Sequence, residues 1–208
     1  MNYDLDSNAA KQADNINARI EQKGRYLGVI TRAEAVTSTK GTQGIDLSFK
    51  ANSGESADYL TLWTYNKDGK QLMGYNMLMA IMTCLRVKSL KAEYGEIEKY
   101  NPDTKKKEKT NVELFKDLMN KQITFLLHME EYEKTAGGTA WKPVIFAVCD
   151  KDGFTASEIF AKSTEAKTVV KMEAALKDRP LKASISMPRQ ESDNSSSPFN
   201  EFEDDIPF

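Results

Sequence analysis

The hydrophobic period of the chain changes once between Arg25 and Leu85, and that change limits the folds open to it. Residues 25–36 (RYLGVITRAEAV) are rich in β-branched and aromatic side chains and read as a strand. After a turn at Lys40-Gly41-Thr42-Gln43-Gly44, Ile45, Leu47 and Phe49 alternate with Asp46, Ser48 and Lys50, the period-two pattern of a half-buried strand. Asn52-Ser53-Gly54-Glu55 makes the next turn, and residues 57–65 (ADYLTLWTY) read as a third strand closed by Asn66-Lys67-Asp68-Gly69. From there the spacing is helical. Met77, Leu78, Ile81, Met82 and Leu85 recur on one face, and Met79 and Ala80 leave little polar surface, which predicts a buried helix.

Residues 94–110 (YGEIEKYNPDTKKKEKT) read as an extended excursion turning at Asn101-Pro102-Asp103, followed by a short helix over 112–119 capped by Asn111. Two further strands, near 122–132 and 141–149, are joined by a loop containing Gly137-Gly138. Thr155-Ala156-Ser157-Glu158 is a capping box opening a short helix. A second, amphipathic helix is expected near 165–177, with Val169, Met172 and Leu176 on one face and Pro180 beyond its end. The order is three strands, a helix, an excursion, two strands and terminal helices. That is the element order of an OB-fold, so the expectation for residues 1–180 is a mainly β, OB-fold-like five-stranded barrel with a helix between strands three and four and added C-terminal helices. Residues 1–23 are a polar lead-in that suits at most a short helix.

Composition divides the chain. From about Met187 onward Pro, Ser, Asn, Gln and acidic residues dominate, and such a segment cannot bury enough apolar surface to repay its ordering entropy. Residues 181–208 are therefore expected to form a disordered acidic tail. The net charge of the chain is −2; the segment from Arg189 onward holds six acidic side chains and one basic one, which leaves the rest at +3. A mildly basic body can meet a polyanion, although +3 is also ordinary for a domain of this size. No apolar run approaches the roughly 20 residues of a membrane-spanning helix. Met1–Ile20 lacks the apolar core of a signal peptide. Cys84 and Cys149, both in apolar runs, fit buried thiols in a reducing compartment. The expected location is the cytoplasm.

The tail closes with Phe199-Asn200-Glu201-Phe202-Glu203-Asp204-Asp205-Ile206-Pro207-Phe208. A purely solvated tail gains nothing from Ile-Pro-Phe. A docking peptide does: Ile206 and Phe208 fill a small apolar pocket, Pro207 restricts the free chain, and Asp204 and Asp205 meet a basic rim. These five positions, Asp204 to Phe208, resemble the acidic tip of bacterial single-stranded DNA-binding proteins. The resemblance implies recruitment of replication, recombination and repair proteins. The body instead resembles small phage proteins found among recombination and replication genes, through Gly28 to Glu34 (GVITRAE), Lys40 to Ile45 (KGTQGI) and Tyr59 to Trp63 (YLTLW). That implies a phage-encoded protein acting in the bacterial host cytoplasm.

Binding single-stranded DNA without sequence preference needs flat aromatic faces for bases and cations for phosphates. Tyr59, Thr61, Trp63 and Tyr65 share one face of the third strand, and Leu60, Leu62 and Thr64 share the other. If the leucines fill the core, the aromatics are left as a stacking platform; the opposite arrangement is open on sequence alone. Trp141, just after the Gly137-Gly138 loop, is a further candidate, with Lys142 beside it. Lys40 lies in the first loop, and Lys105, Lys106 and Lys107, with Lys109, form the densest basic run. Arg25, Arg32 and Lys50 are weaker candidates.

Enzyme chemistry has little to work with. His128 is the only histidine, the two cysteines are far apart, and there is no Walker loop or Gly-x-Gly-x-x-Gly. A metal-dependent nuclease would have to use Pro102-Asp103 with Glu165-Ala166-Lys167, or the acids Glu130, Glu131, Glu133, Asp150 and Asp152. No metal or cofactor is expected. The competing function is an adapter that docks partners through the tail and binds little DNA. The sequence does not specify whether the protein self-associates.

Overall fold

The computed structural model describes residues 18–101, 104 and 106–181. Within them the protein is mainly β: an open antiparallel sheet of seven strands with three short α-helices. Its organiser is β1 (Gly24–Thr37), long enough to serve three partners. Residues Gly24 to Val29 pair with β6 (Gln122–Glu133), and Gly28 to Thr37 pair with β2 (Gln43–Ala51). Glu34 pairs with Leu114 of β5 (Lys106–Leu114). The register slips between Ile30 and Arg32, a bulge where β1 bends from one set of partners to the other. β3 (Ser56–Tyr65) then pairs with β2, β4 (Glu93–Asn101) with β5, and β7 (Thr139–Cys149) with β6.

The core lies on the concave side of this sheet. Ile30, Leu47, Phe49, Leu60, Ile123, Phe125 and Leu127 are fully buried together, and the rings of Phe49 and Phe125 meet at 4.9 Å. Each such side chain contributes about 1.5–3 kcal/mol on burial. Helix α1 (Met73–Cys84) supplies Leu78, Ile81 and Met82 to the same cluster, in line with the helical spacing of the sequence. β6 buries its other face as well: Leu126 joins Ala147, Cys149 and Val169 in a second cluster beneath α3 (Thr168–Ala174).

Several expectations need correction. The sheet is not a closed five-stranded barrel. β3 and β7 lie close at its two ends, but no ladder joins them, and α1 packs against both. The first turn of α1 covers the edge of β3 instead: a side chain at Gly74 would come within 2.3 Å of the Trp63 carbonyl oxygen. The excursion at 94–110 is the hairpin of β4 and β5, which brings the strand total to seven. The short helix expected over 112–119 is not formed. Residues through Leu114 stay in β5, paired to β4, and only Lys116–Leu118 makes a single 3-10 turn, anchored by buried Leu118. α2 (Ala156–Phe160) begins at the expected capping box, and α3 is shorter than the 165–177 read from sequence. Among the described residues no helix is long and apolar enough to cross a membrane. The tail tip, Asp204 to Phe208, lies outside the described residues, as does most of the lead-in.

Candidate nucleic-acid interface

The third strand resolves the choice its sequence left open. Leu60, Leu62 and Thr64 are buried, while Tyr59 is 74% and Trp63 38% exposed. A bulge sharpens the display. Leu60 faces Leu47 and Ala57 faces Phe49, so Asp58 and Tyr59 together oppose Ser48, and both point outward. Tyr59 takes φ = 59°, a conformation costly for a bulky residue and concentrated at functional sites. Arg32 on β1, two strands away across β2, holds the ring, its guanidinium carbon 5.7 Å from the ring centroid. Trp63 is set from two sides: Gly74 presses on its backbone, and its ring atom Cε3 would lie 2.9 Å from a side chain at Gly44.

Two depressions meet at Asp58 and Tyr59. One, of about 550 Å³, lies between the start of β3 and the far end of the β6–β7 hairpin; Tyr59, Tyr132 and Trp141 line it with Arg19, Met129 and Lys142. Trp141 is 47% exposed. The ammonium of Lys142 sits 5.8 Å from the Tyr132 ring centroid and 3.9 Å from the Glu130 carboxylate. The other, of about 660 Å³, crosses the outer face of β1, β2 and β3 under the β4–β5 hairpin, with Tyr59 and Trp63 on one wall and Lys99 and Lys107 on the opposite one. Aromatic residues of β3, β6 and β7 thus line one cleft, and Trp63 continues the path along β3.

The floor of the larger groove is a polar network. Arg32 Nη2 donates to Asp46 Oδ2 at 2.7 Å, Thr61 Oγ1 donates to Asp46 Oδ1 at 2.8 Å, and Lys99 Nζ donates to Glu34. Glu34 and Asp46 are buried, so their charges need these partners. Counted along its lining, the groove has three cations (Arg32, Lys99, Lys107) and four carboxylates (Glu34, Asp46, Asp58, Glu98). Its floor is therefore no track for phosphate. Among the described residues, two cations at its margin form no ion pair: Lys107, exposed where it lines the groove, and Lys106, exposed next along β5.

The other sequence candidates fall as follows. Tyr65 leaves the platform; a second slip in register turns it toward α1, where its ring meets that of Tyr75 at 5.4 Å. Lys40 is exposed in the β1–β2 turn, Lys109 pairs with Glu96 at 3.5 Å, and Lys105 lies outside the described residues. Arg25 pairs with Glu173 at 3.7 Å, away from the aromatic cleft. Sequence reading missed Tyr132 and Arg19. Tyr132 was accessible to it: counting outward from Gly137-Gly138 pairs Glu130 with Lys142 and Tyr132 with Ala140, so Tyr132 shares a face of the hairpin with Lys142, while Trp141, opposite Glu131, lies on the other. Arg19 carries no such signal; it reaches the cleft through an isolated bridge to Ser56.

The groups weighed for catalysis have structural surroundings. His128 is buried in β6, edge-on to Phe146 at 6.0 Å, and burial, with Arg179 nearby, pushes its imidazole below the usual value. Burial pushes the thiols of Cys84 and Cys149 up to about 12 and about 11, which keeps both protonated. Asp150 holds its own turn, accepting from the Asp152 and Phe154 amides, and pairs with Arg86 at 3.5 Å. Glu165 pairs with Lys167 at 2.7 Å in the loop before α3, and Pro102-Asp103 lies outside the described residues. Glu158 joins two helices. It accepts from the Thr155 amide and hydroxyl, both at 2.9 Å, and from the Lys167 and Thr168 amides at 2.9 and 2.8 Å; these bonds hold its carboxyl at about 2.

In comparisons with known proteins, no family model matches the chain and no curated protein matches it significantly.

Proposed function

We propose that the body binds single-stranded DNA without strong sequence preference, protecting it during replication, recombination or repair, and that the tip Asp204 to Phe208 recruits partner proteins. The observation that carries this reading is the set of exposed aromatics, Tyr59, Tyr132 and Trp141, lining one cleft that continues past Trp63. Bases stack on sequence-independent faces of this kind. The chain order supports it too. β3-β2-β1-β6-β7, with α1 between the third strand and the last pair, follows the order expected of an OB-fold, with helix packing where a barrel would have a rung between β3 and β7. Bases would lie on the aromatic face, and phosphates would run along the margin at Lys106, Lys107 and Lys142. With so few free cations the salt dependence is shallow. At about −0.7 per phosphate neutralised, two or three contacts give a log–log slope of about −1.4 to −2.1. The tail tip's resemblance to bacterial single-stranded DNA-binding proteins, and the body's to small phage proteins among recombination and replication genes, support a phage protein acting in the host cytoplasm.

The test is a titration with oligo-dT followed by tryptophan fluorescence. Saturable quenching that weakens modestly with salt supports the proposal, and no change in either Trp63 or Trp141 emission overturns it. The second reading, an adapter with little DNA binding, is favoured by one observation: carboxylates outnumber cations along the groove. The same titration separates the two.

A further inference from the structure

A third depression, of about 740 Å³, lies away from the aromatic face, between α1 and α2. Its walls are apolar, with Met79 and Val87 on one side and Ile159 and Phe160 on the other, and two cations stand at its rim: Lys88, and Arg86, which also pairs with Asp150. No carboxylate lines it. Phe160 is 77% exposed, although a helix end has no need of an exposed phenyl ring. Methionine-lined apolar grooves adapt readily to peptide side chains.

The chain itself contains a segment of complementary chemistry. Glu201 to Phe208 holds four acidic side chains, no basic one, and the apolar residues Phe202, Ile206, Pro207 and Phe208. Its reach is ample. The 25 positions from Leu181 to Ile206 span about 85 Å when extended, against a width of roughly 40 Å for a domain of this size. We infer that the tip of the tail docks in cis in the α1–α2 groove, with Ile206 and Phe208 between Met79 and Phe160 and the acids against Arg86 and Lys88. Held there, the tip is withheld from other proteins. A partner must then displace a peptide that is present at the millimolar effective concentration typical of a short tether. This inference does not depend on DNA binding by the body.

The methionine methyl groups report on it directly. Met79 and Met82 line the α1–α2 groove, whereas Met129 lines the aromatic cleft. In ¹³C-methyl-methionine NMR of the full chain without DNA, Ile206→Ala/Phe208→Ala should shift Met79 and Met82 and leave Met129 in place. Adding a peptide of residues 201–208 to that variant should return both signals toward their original positions. Phe160→Ala, an exposed site that leaves the fold intact, should weaken the peptide about tenfold. Lys88→Glu should weaken it more at low salt than at high salt. Unchanged Met79 and Met82 signals in the tail variant overturn the inference. So does a peptide response at Met129 in their place, which would put the tip on the aromatic cleft. Signals that move with protein concentration would assign the occupant to a second copy and overturn docking in cis.

Discussion

β3 and β5 belong to one sheet, yet they are strands for different reasons. β3 (SADYLTLWTY) is specified by its faces: leucines buried, aromatics displayed. β5 (KKEKTNVEL) buries nothing until Leu114. What sets β5 is its partner. Across the hairpin Glu98 faces Lys109 and Lys99 faces Glu108, so opposite charges meet on two adjacent rungs, while the ladder between β1 and the pair is the single rung of Glu34 and Leu114. A strand made by burial announces itself in its own sequence. A strand made by pairing is visible only when two segments are read against each other.

The sharpest contrast is in stability. Phe125→Ala empties a site at the centre of the core and should cost about 3–5 kcal/mol in denaturant unfolding. Thr110→Ala in β5 should stay within about 0.5 kcal/mol. If the two values were similar, the arm would be part of the core and the contrast would fail. Trp141→Ala and Trp63→Ala should each cost about 1–3 kcal/mol of oligo-dT binding, with a smaller change in unfolding free energy. A variant that loses stability but binds normally while folded would move that tryptophan to the structural side of the comparison.

Glu158→Ala removes the carboxylate shared by the starts of α2 and α3, and a loss of about 0.5–2 kcal/mol per cap is expected. Its pH dependence has a definite sign. The folded carboxyl titrates at about 2, below the ordinary 4.5, so its stabilisation is complete above about pH 4.5 and is lost as pH falls toward 2. Glu158→Gln should flatten that part of the thermal-unfolding profile. An unchanged profile would mean that other groups set the acid limit. The smallest effect belongs to the arm. Lys106→Ala/Lys107→Ala should weaken oligo-dT binding a few-fold and reduce the salt slope by at most about 1.4, with stability unaltered. An unchanged slope would place the phosphate path elsewhere.

The same distinction explains what could be read in advance. The alternation of β3 as far as Trp63, the buried character of α1 and the Thr155–Glu158 box each follow from side chains close in sequence, and each stands in the structure. The 94–110 excursion was legible as a hairpin but not as two strands of the main sheet, because its charged residues gain their meaning across the turn. Residues 112–119 were assigned to a helix because Asn111 can cap one; the pairing of Val112 and Leu114 with Gly95 and Glu93 decided otherwise. The open seam was not legible at all. Whether β3 meets β7 depends on how closely α1 approaches Trp63, and Gly74 becomes informative only once its neighbour across space is known. At the aromatic face Trp63 and Trp141 were found, while Tyr132 needed the hairpin register and Arg19 a contact that no pattern encodes.

The division of β1 between partners also sets a clock. Its second half finds β2 a few residues later, across a tight turn, but Gly24 pairs with Leu127, more than a hundred positions along the chain. Pairings of such long range close slowly, and they carry the loop-closure cost of everything between them. On a ribosome adding roughly 5–20 residues per second, the first half of β1 waits about 5–20 s for β6 to be made. Through that interval the β1–β2–β3 unit is assembled with one bare edge, and a nascent chain in this state is open to pairing with a neighbour on the same message before its own strand arrives.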